Sequence, residues 1–154
     1  MAAAGVTVDM REIKGLEKLL DDARLDAGAR AELLSHVAGI VEEASRTRLD
    51  ETKEGPDGAA WKSWEESTRK YYERQGWGHR SLLRGDDNLL KSIRSEVAAD
   101  SHSAMVGATM VYAAVHQFGW PARNIAARPY LGVSEGDARD VTDAVKDYLA
   151  RRFE

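Results

Sequence analysis

The chain has 154 residues, 43% of them hydrophobic and 31% charged, with a net charge of −4 and no cysteine. That length suits one domain with a core of its own. The missing cysteines exclude disulfides, thiol catalysis and cysteine-bound zinc, and the acidic balance argues against coating nucleic acid by overall charge.

Val6 to Met10 alternates and is β-branched, which predicts a short strand. The next stretch places Ile13, Leu16, Leu19, Leu20 and Ala23 on one helical stripe, with Gly15 inside it as a weak point. From about Asp26 to Leu49, Leu33, Leu34, Val37, Ile40, Val41, Ala44 and Leu49 recur at helical spacing. Arg46 and Arg48 lie in the last turns, where the helix dipole favours cations. This helix is expected to be the backbone of the core, with His36 packed or half-exposed on it. Residues 50 to about 88 read as loop-rich. Pro56-Asp57-Gly58 marks a turn, and a short helix is expected around Glu65 to Arg74.

A second short helical piece falls near Leu90. Ser92 to Ala99 and then Ala104 to Thr109 alternate on either side of a turn, which predicts a β-hairpin. Met110 to Phe118 is expected to be a short helix with Val111, Val115 and Phe118 on one face, ended by Gly119. The stretch His116 to Gly132 (HQFGWPARNIAARPYLG) holds two of the three prolines and reads as one stiffened loop. Ser134 is placed to cap a last helix from about Glu135 to Arg152, with Val141, Val145, Tyr148, Leu149 and Phe153 as its apolar stripe. The expected fold is therefore α/β, in stricter terms α+β: a small, mainly antiparallel sheet packed by the long helix and the C-terminal helix. One domain is expected over residues 1–154.

Chemistry leaves few marks. His36, His79, His102 and His116 form no metal-ligand spacing, so neither metal nor cofactor is expected. No serine elbow or phosphate-cradling glycine loop occurs. Tyr112 and His116 sit at i, i+4 and face each other on a helix. As an acid–base couple they are the sole basis for a small hydrolase; as a packing pair they need no special role. The N-terminus lacks a signal-peptide pattern and no apolar run reaches the ~18 residues of a membrane span, so a cytoplasmic product without membrane contact is expected.

The richest surface chemistry is Lys62, Arg69, Lys70, Arg74, Arg80 and Arg84 interleaved with Trp61, Trp64, Tyr71, Tyr72 and Trp77. Arginine with aromatics serves single-strand nucleic-acid binding and protein–protein hot spots alike. Glu65, Glu66 and Glu73 dilute the patch and tilt it toward protein contact.

Pro56-Asp57-Gly58 with Trp61, Leu89-Leu90 with Ser92-Ile93, Val106-Gly107, Tyr112-Ala113, His116-Gln117-Phe118-Gly119 and Ala127-Arg128-Pro129-Tyr130-Leu131-Gly132 follow one another ahead of a terminal helix. In that order they resemble the phage virion morphogenesis family, the tail-completion proteins of Mu-type phages and prophages. This chain departs from the family pattern in having Ala126 where a proline is usual and Tyr130 where a phenylalanine is usual.

The resemblance implies a structural virion protein and no enzyme. It would be made in the host cytoplasm and built into the tail or neck of the particle. It would complete the tail and allow head–tail joining as a ring of copies, six being the implied number. Its implied partners are itself, tail tube or terminator proteins and head–tail connector proteins, with nucleic acid and membrane not among them. A DNA-binding protein at the neck is the alternative. Trp120, Arg128, Pro129, Tyr130, Trp61, Trp64, Tyr72 and Arg80 are the expected interface residues. Tyr112, His116, Gln117 and Phe118 are expected to form a structural network, with Phe118 and Tyr130 packed under the loop.

Overall fold

The computed structural model describes residues 7–154, so Val6 of the expected first strand lies outside the described residues. Among them the order is β1 (Thr7–Asp9), α1 (Leu16–Asp22), α2 (Ala27–Thr47), α3 (Glu66–Arg74), α4 (Asn88–Ser92), β2 (Ile93–Val97), β3 (Ala104–Ala108), α5 (Ala113–Phe118) and α6 (Glu135–Arg152). The fold is α+β. Its sheet has the order β1-β3-β2 and is antiparallel throughout. The hairpin β2–β3 pairs Ile93 with Ala108 and Val97 with Ala104, and β1 adds to the other edge by pairing Thr7 with Gly107.

α2 forms where the apolar spacing placed it. Asp26 caps its start by accepting from the Ala29 N–H at 2.8 Å. Its buried face runs through Leu33, Leu34, Val37, Ala38 and Val41. That face packs on β2, β3 and α6, and a single apolar cluster joins it to Ile93, Val106, Ala108, Tyr130, Val141 and Val145. Ser134 and Asp137 form a reciprocal capping box at the start of α6. The stripe of α6 is buried at Val141 and Val145, half-buried at Tyr148 and Leu149, and exposed at Phe153. Among the described residues no helix is long and apolar enough to cross a membrane.

Three expectations change. Gly15 does not weaken the middle of a helix; it stands at the N-cap of α1 with φ +84°, a left-handed conformation that favours glycine. Ile13 accordingly lies ahead of α1, yet is still buried. His36 is exposed on α2. Most consequentially, α5 is rotated. Val111 is 80% exposed and Phe118 68% exposed, while Ala113 and Gln117 face inward.

Candidate functional site

The stretch from His116 to Gly132 is a clasp that closes on itself and on the rest of the chain. Gly119 ends α5 with φ +76°, and a Cβ there would lie 2.7 Å from the Ala127 nitrogen, so glycine alone fits. Trp120 and Ile125 then exchange two backbone hydrogen bonds, 2.8 and 3.1 Å, around a short turn that opens with Pro121. The Arg128 N–H returns to the His116 carbonyl at 2.7 Å.

Gln117 holds the far end of the clasp. Its carbonyl oxygen accepts from the N–H groups of Tyr130 and Leu131, both at 3.0 Å, and its amide donates to the Leu131 carbonyl at 2.9 Å. One side chain thus does for Tyr130–Leu131 what a neighbouring strand would do. The Tyr130 hydroxyl donates to the Ala113 carbonyl at 3.1 Å, which ties the clasp to the start of α5. Tyr130 is fully buried, and burial pushes its phenol well above the usual range.

The clasp also grips the segment that leads into α3. Arg128 donates from Nε to the Lys62 carbonyl at 2.7 Å and from Nη2 to the Ser63 carbonyl at 3.1 Å. In return the Trp61 indole donates to the Pro129 carbonyl at 2.9 Å. Arg48, buried at the end of α2, donates to the carbonyls of Tyr130 and Gly132 at 3.2 and 3.1 Å and pairs with Asp137 of the α6 cap. Gly132 touches Pro56, and a Cβ there would meet its ring at 2.5 Å.

Beside the clasp lies a cleft of about 450 Å³, walled by Trp64, Tyr72, Arg80, Tyr112, His116 and Arg128 among others. Its outer wall is an aromatic cluster. Trp64 meets Tyr72 edge-on at 4.8 Å, Tyr72 meets Trp77 at 6.1 Å, and the Arg80 guanidinium stacks on Trp77 at 4.5 Å. α3 itself buries no residue. Most of the cations there are paired: Lys62 with Glu65, Lys70 with Glu66, Arg69 with Glu73 and Arg80 with Asp86.

Of the expected interface residues, Trp61, Arg128 and Tyr130 are 7%, 9% and 0% exposed, so they sit inside the chain as supports of the clasp. Pro129 is half-buried between them. Trp64, Tyr72 and Arg80 come together at the cleft and are half-buried. Trp120 is 44% exposed, with the Arg123 guanidinium 5.1 Å above its ring. Of the expected network, Gln117 lies at the centre of the clasp, bonded to Tyr130, which was expected at the interface. Tyr112 and His116 meet as rings, edge to face at 5.7 Å, and the buried His116 Nδ1 has no hydrogen-bond partner. Burial and the charge of Arg128 hold the imidazole below its ordinary pKa. Phe118 does not pack under the loop; it points to solvent.

Arg48 is the structural residue that sequence reasoning misses, because it was assigned to the helix dipole. A signal was present. Val41, Ser45 and Arg48 are spaced i, i+4, i+7, which places the arginine on the buried stripe of α2.

Comparison with known proteins agrees with the order of these motifs. Residues 11–150 match the model of the phage virion morphogenesis family. A protein of Escherichia phage Mu named "Putative capsid assembly protein G" is 28% identical over 149 residues, covering 92% of this chain and 90% of its own length. The "Mu-like prophage FluMu G protein 2" of Haemophilus influenzae is 30% identical over 149 residues, covering 94% of this chain and 96% of its own. No solved structure matches the chain significantly.

Proposed function

The chain belongs to the phage virion morphogenesis family, and from that premise we propose that it completes the tail of a phage particle and lets the tail join the head. In this reading it acts as a ring of copies, six around the tail axis, at the tail end that meets the head. Its neighbours are further copies of itself, the tail tube or terminator protein, and the head–tail connector. It is made in the host cytoplasm, ends in the tail or neck of the virion, and catalyses nothing.

The observation that carries the reading is kinship along nearly the whole chain: the family model spans residues 11–150, and the phage Mu relative, named for capsid assembly, aligns with 92% of it. The geometry of the clasp supports it. Gln117, Arg128, Tyr130 and Trp61 are each engaged with backbone groups. They shape a rigid body whose outer faces are free for contact, as an assembly subunit needs.

The alternative, a DNA-binding protein at the neck, draws less support from the arginine and aromatic surface. Lys62, Arg69, Lys70 and Arg80 each have a carboxylate within 3.3 Å, so few charges are left for phosphates.

The test is electron microscopy of particles from the parent phage with the gene deleted, with and without the protein supplied back. Full heads beside unjoined tails, or tails of irregular length, restored to whole particles by the protein, are expected. Normal infectious particles without it would overturn the proposal.

A further inference from the structure

Two features of the surface fit each other. The first is the outward face of α5. Val111 in the turn ahead of the helix, half-buried Val115 and Phe118 are apolar at i, i+4, i+7, and Trp120 follows just past the helix end. Single exposed apolar residues are ordinary, but three large ones within ten positions make a patch, and patches mark contacts. Arg123 stacks on Trp120 at 5.1 Å and has no carboxylate partner among the described residues.

The second is a groove of about 1250 Å³ between α2 and α6. Its apolar floor is built from Gly39, Ile40, Ala44, Ala144 and Tyr148. The two helices run antiparallel, since Arg48 at the end of α2 meets Asp137 at the start of α6, and Tyr148 reaches back to Ala29. Glu43 and Asp140 therefore lie toward one end of the groove, and Arg151 and Arg152, with His36 and one carboxylate, Glu32, toward the other. None of Val111, Val115, Phe118 and Trp120 lines the groove, so one copy can present both surfaces at once.

We infer that the α5 stripe of one copy seats in the α2–α6 groove of a second copy, with Phe118 and Trp120 on the apolar floor and Arg123 against Glu43 and Asp140. The excess of carboxylates at one end of the groove and of arginines at the other sets the direction of seating. Two aromatic rings, 68% and 44% exposed, bring on the order of 200–300 Å² to bury, about a third of the ~800 Å² per partner in a standard interface. Because the two patches differ, the contact is head to tail, and it leaves a free stripe at one end of every chain of copies and a free groove at the other until a ring closes. The inference rests on the reading of the chain as an assembly subunit and names the surfaces that reading left open.

Sedimentation velocity of the purified chain from micromolar to millimolar concentration tests it, using Phe118→Glu to spoil the stripe and Gly39→Glu to spoil the groove. Both variants keep the fold intact, since Phe118 is 68% exposed and a Cβ on Gly39 meets nothing within 4 Å. The unaltered chain is expected to associate beyond dimers. Each variant alone is expected to bind itself at least tenfold more weakly, whereas a one-to-one mixture forms dimers and stops there, because it holds one intact stripe and one intact groove. An unaltered chain that stays monomeric, a variant that associates like the unaltered chain, or a mixture that stays monomeric would each overturn the inference. This experiment reads contact between copies in purified protein, while the particle experiment reads the role in the virion, so the two ideas fail separately.

Discussion

Gln117 commits its whole amide to one turn of backbone, and the sequence offers no other group there to replace it. Gln117→Ala leaves the N–H groups of Tyr130 and Leu131 and the Leu131 carbonyl without this partner in a buried place. Each such loss costs about 1–3 kcal/mol, so a destabilisation of roughly 3 kcal/mol or more is expected from urea unfolding. His116 gives a second prediction at this scale. Its imidazole is held below the ordinary value by burial and then by Arg128, so the unfolded chain takes up a proton at higher pH than the folded one. The stability that depends on the neutral ring is complete above the unfolded pKa of about 6.5 and is lost as the pH falls through the folded value. The melting temperature is expected to drop between about pH 7.5 and 5.5, and His116→Gln is expected to flatten that slope.

The elements differ in how plainly the sequence announces them. In α2 and α6 the apolar residues recur over many turns, and the stripe they trace is the stripe that is buried. α5 is six residues long, too short for periodicity to choose a face. Its inward side is chosen by a polar residue, Gln117, because the clasp needs a donor and an acceptor there. That is why Val111 and Phe118, the two ends of a convincing core stripe on paper, face outward, with Val115 half-buried between them. The same logic hid Arg48, whose partners are carbonyls more than eighty positions away. Of the candidate site, the motif pieces were legible; their inward or outward direction was not.

Cap and bolt separate cleanly at the α6 start. Ser134→Ala removes one capping bond and is expected to cost about 1 kcal/mol. Arg48→Met strands half-buried Asp137 and two carbonyls, and is expected to cost roughly 3–5 kcal/mol by the same urea titration. Arg128→Lys is expected to act locally. It loses the fork that holds the carbonyls of Lys62 and Ser63, so limited proteolysis is expected to speed up between residues 62 and 80 while the core of α2, α6 and the sheet keeps its protection.

At the scale of the whole molecule, the chemistry that looked like a site turns out to be architecture. The clasp joins α2, α5, the entry to α3 and the cap of α6 into one body, and much of the apolar material left outside lies on and beside α5 and in the α2–α6 groove. A body of that kind suits an assembled particle, where the exposed faces find partners. The measurement that tests this most directly is gold labelling of intact virions with an antibody to the chain, read by electron microscopy. Label at the end of the tail that meets the head is the predicted result. Label on the capsid shell or along the tail, or none on whole particles that open their necks to the antibody, would contradict it.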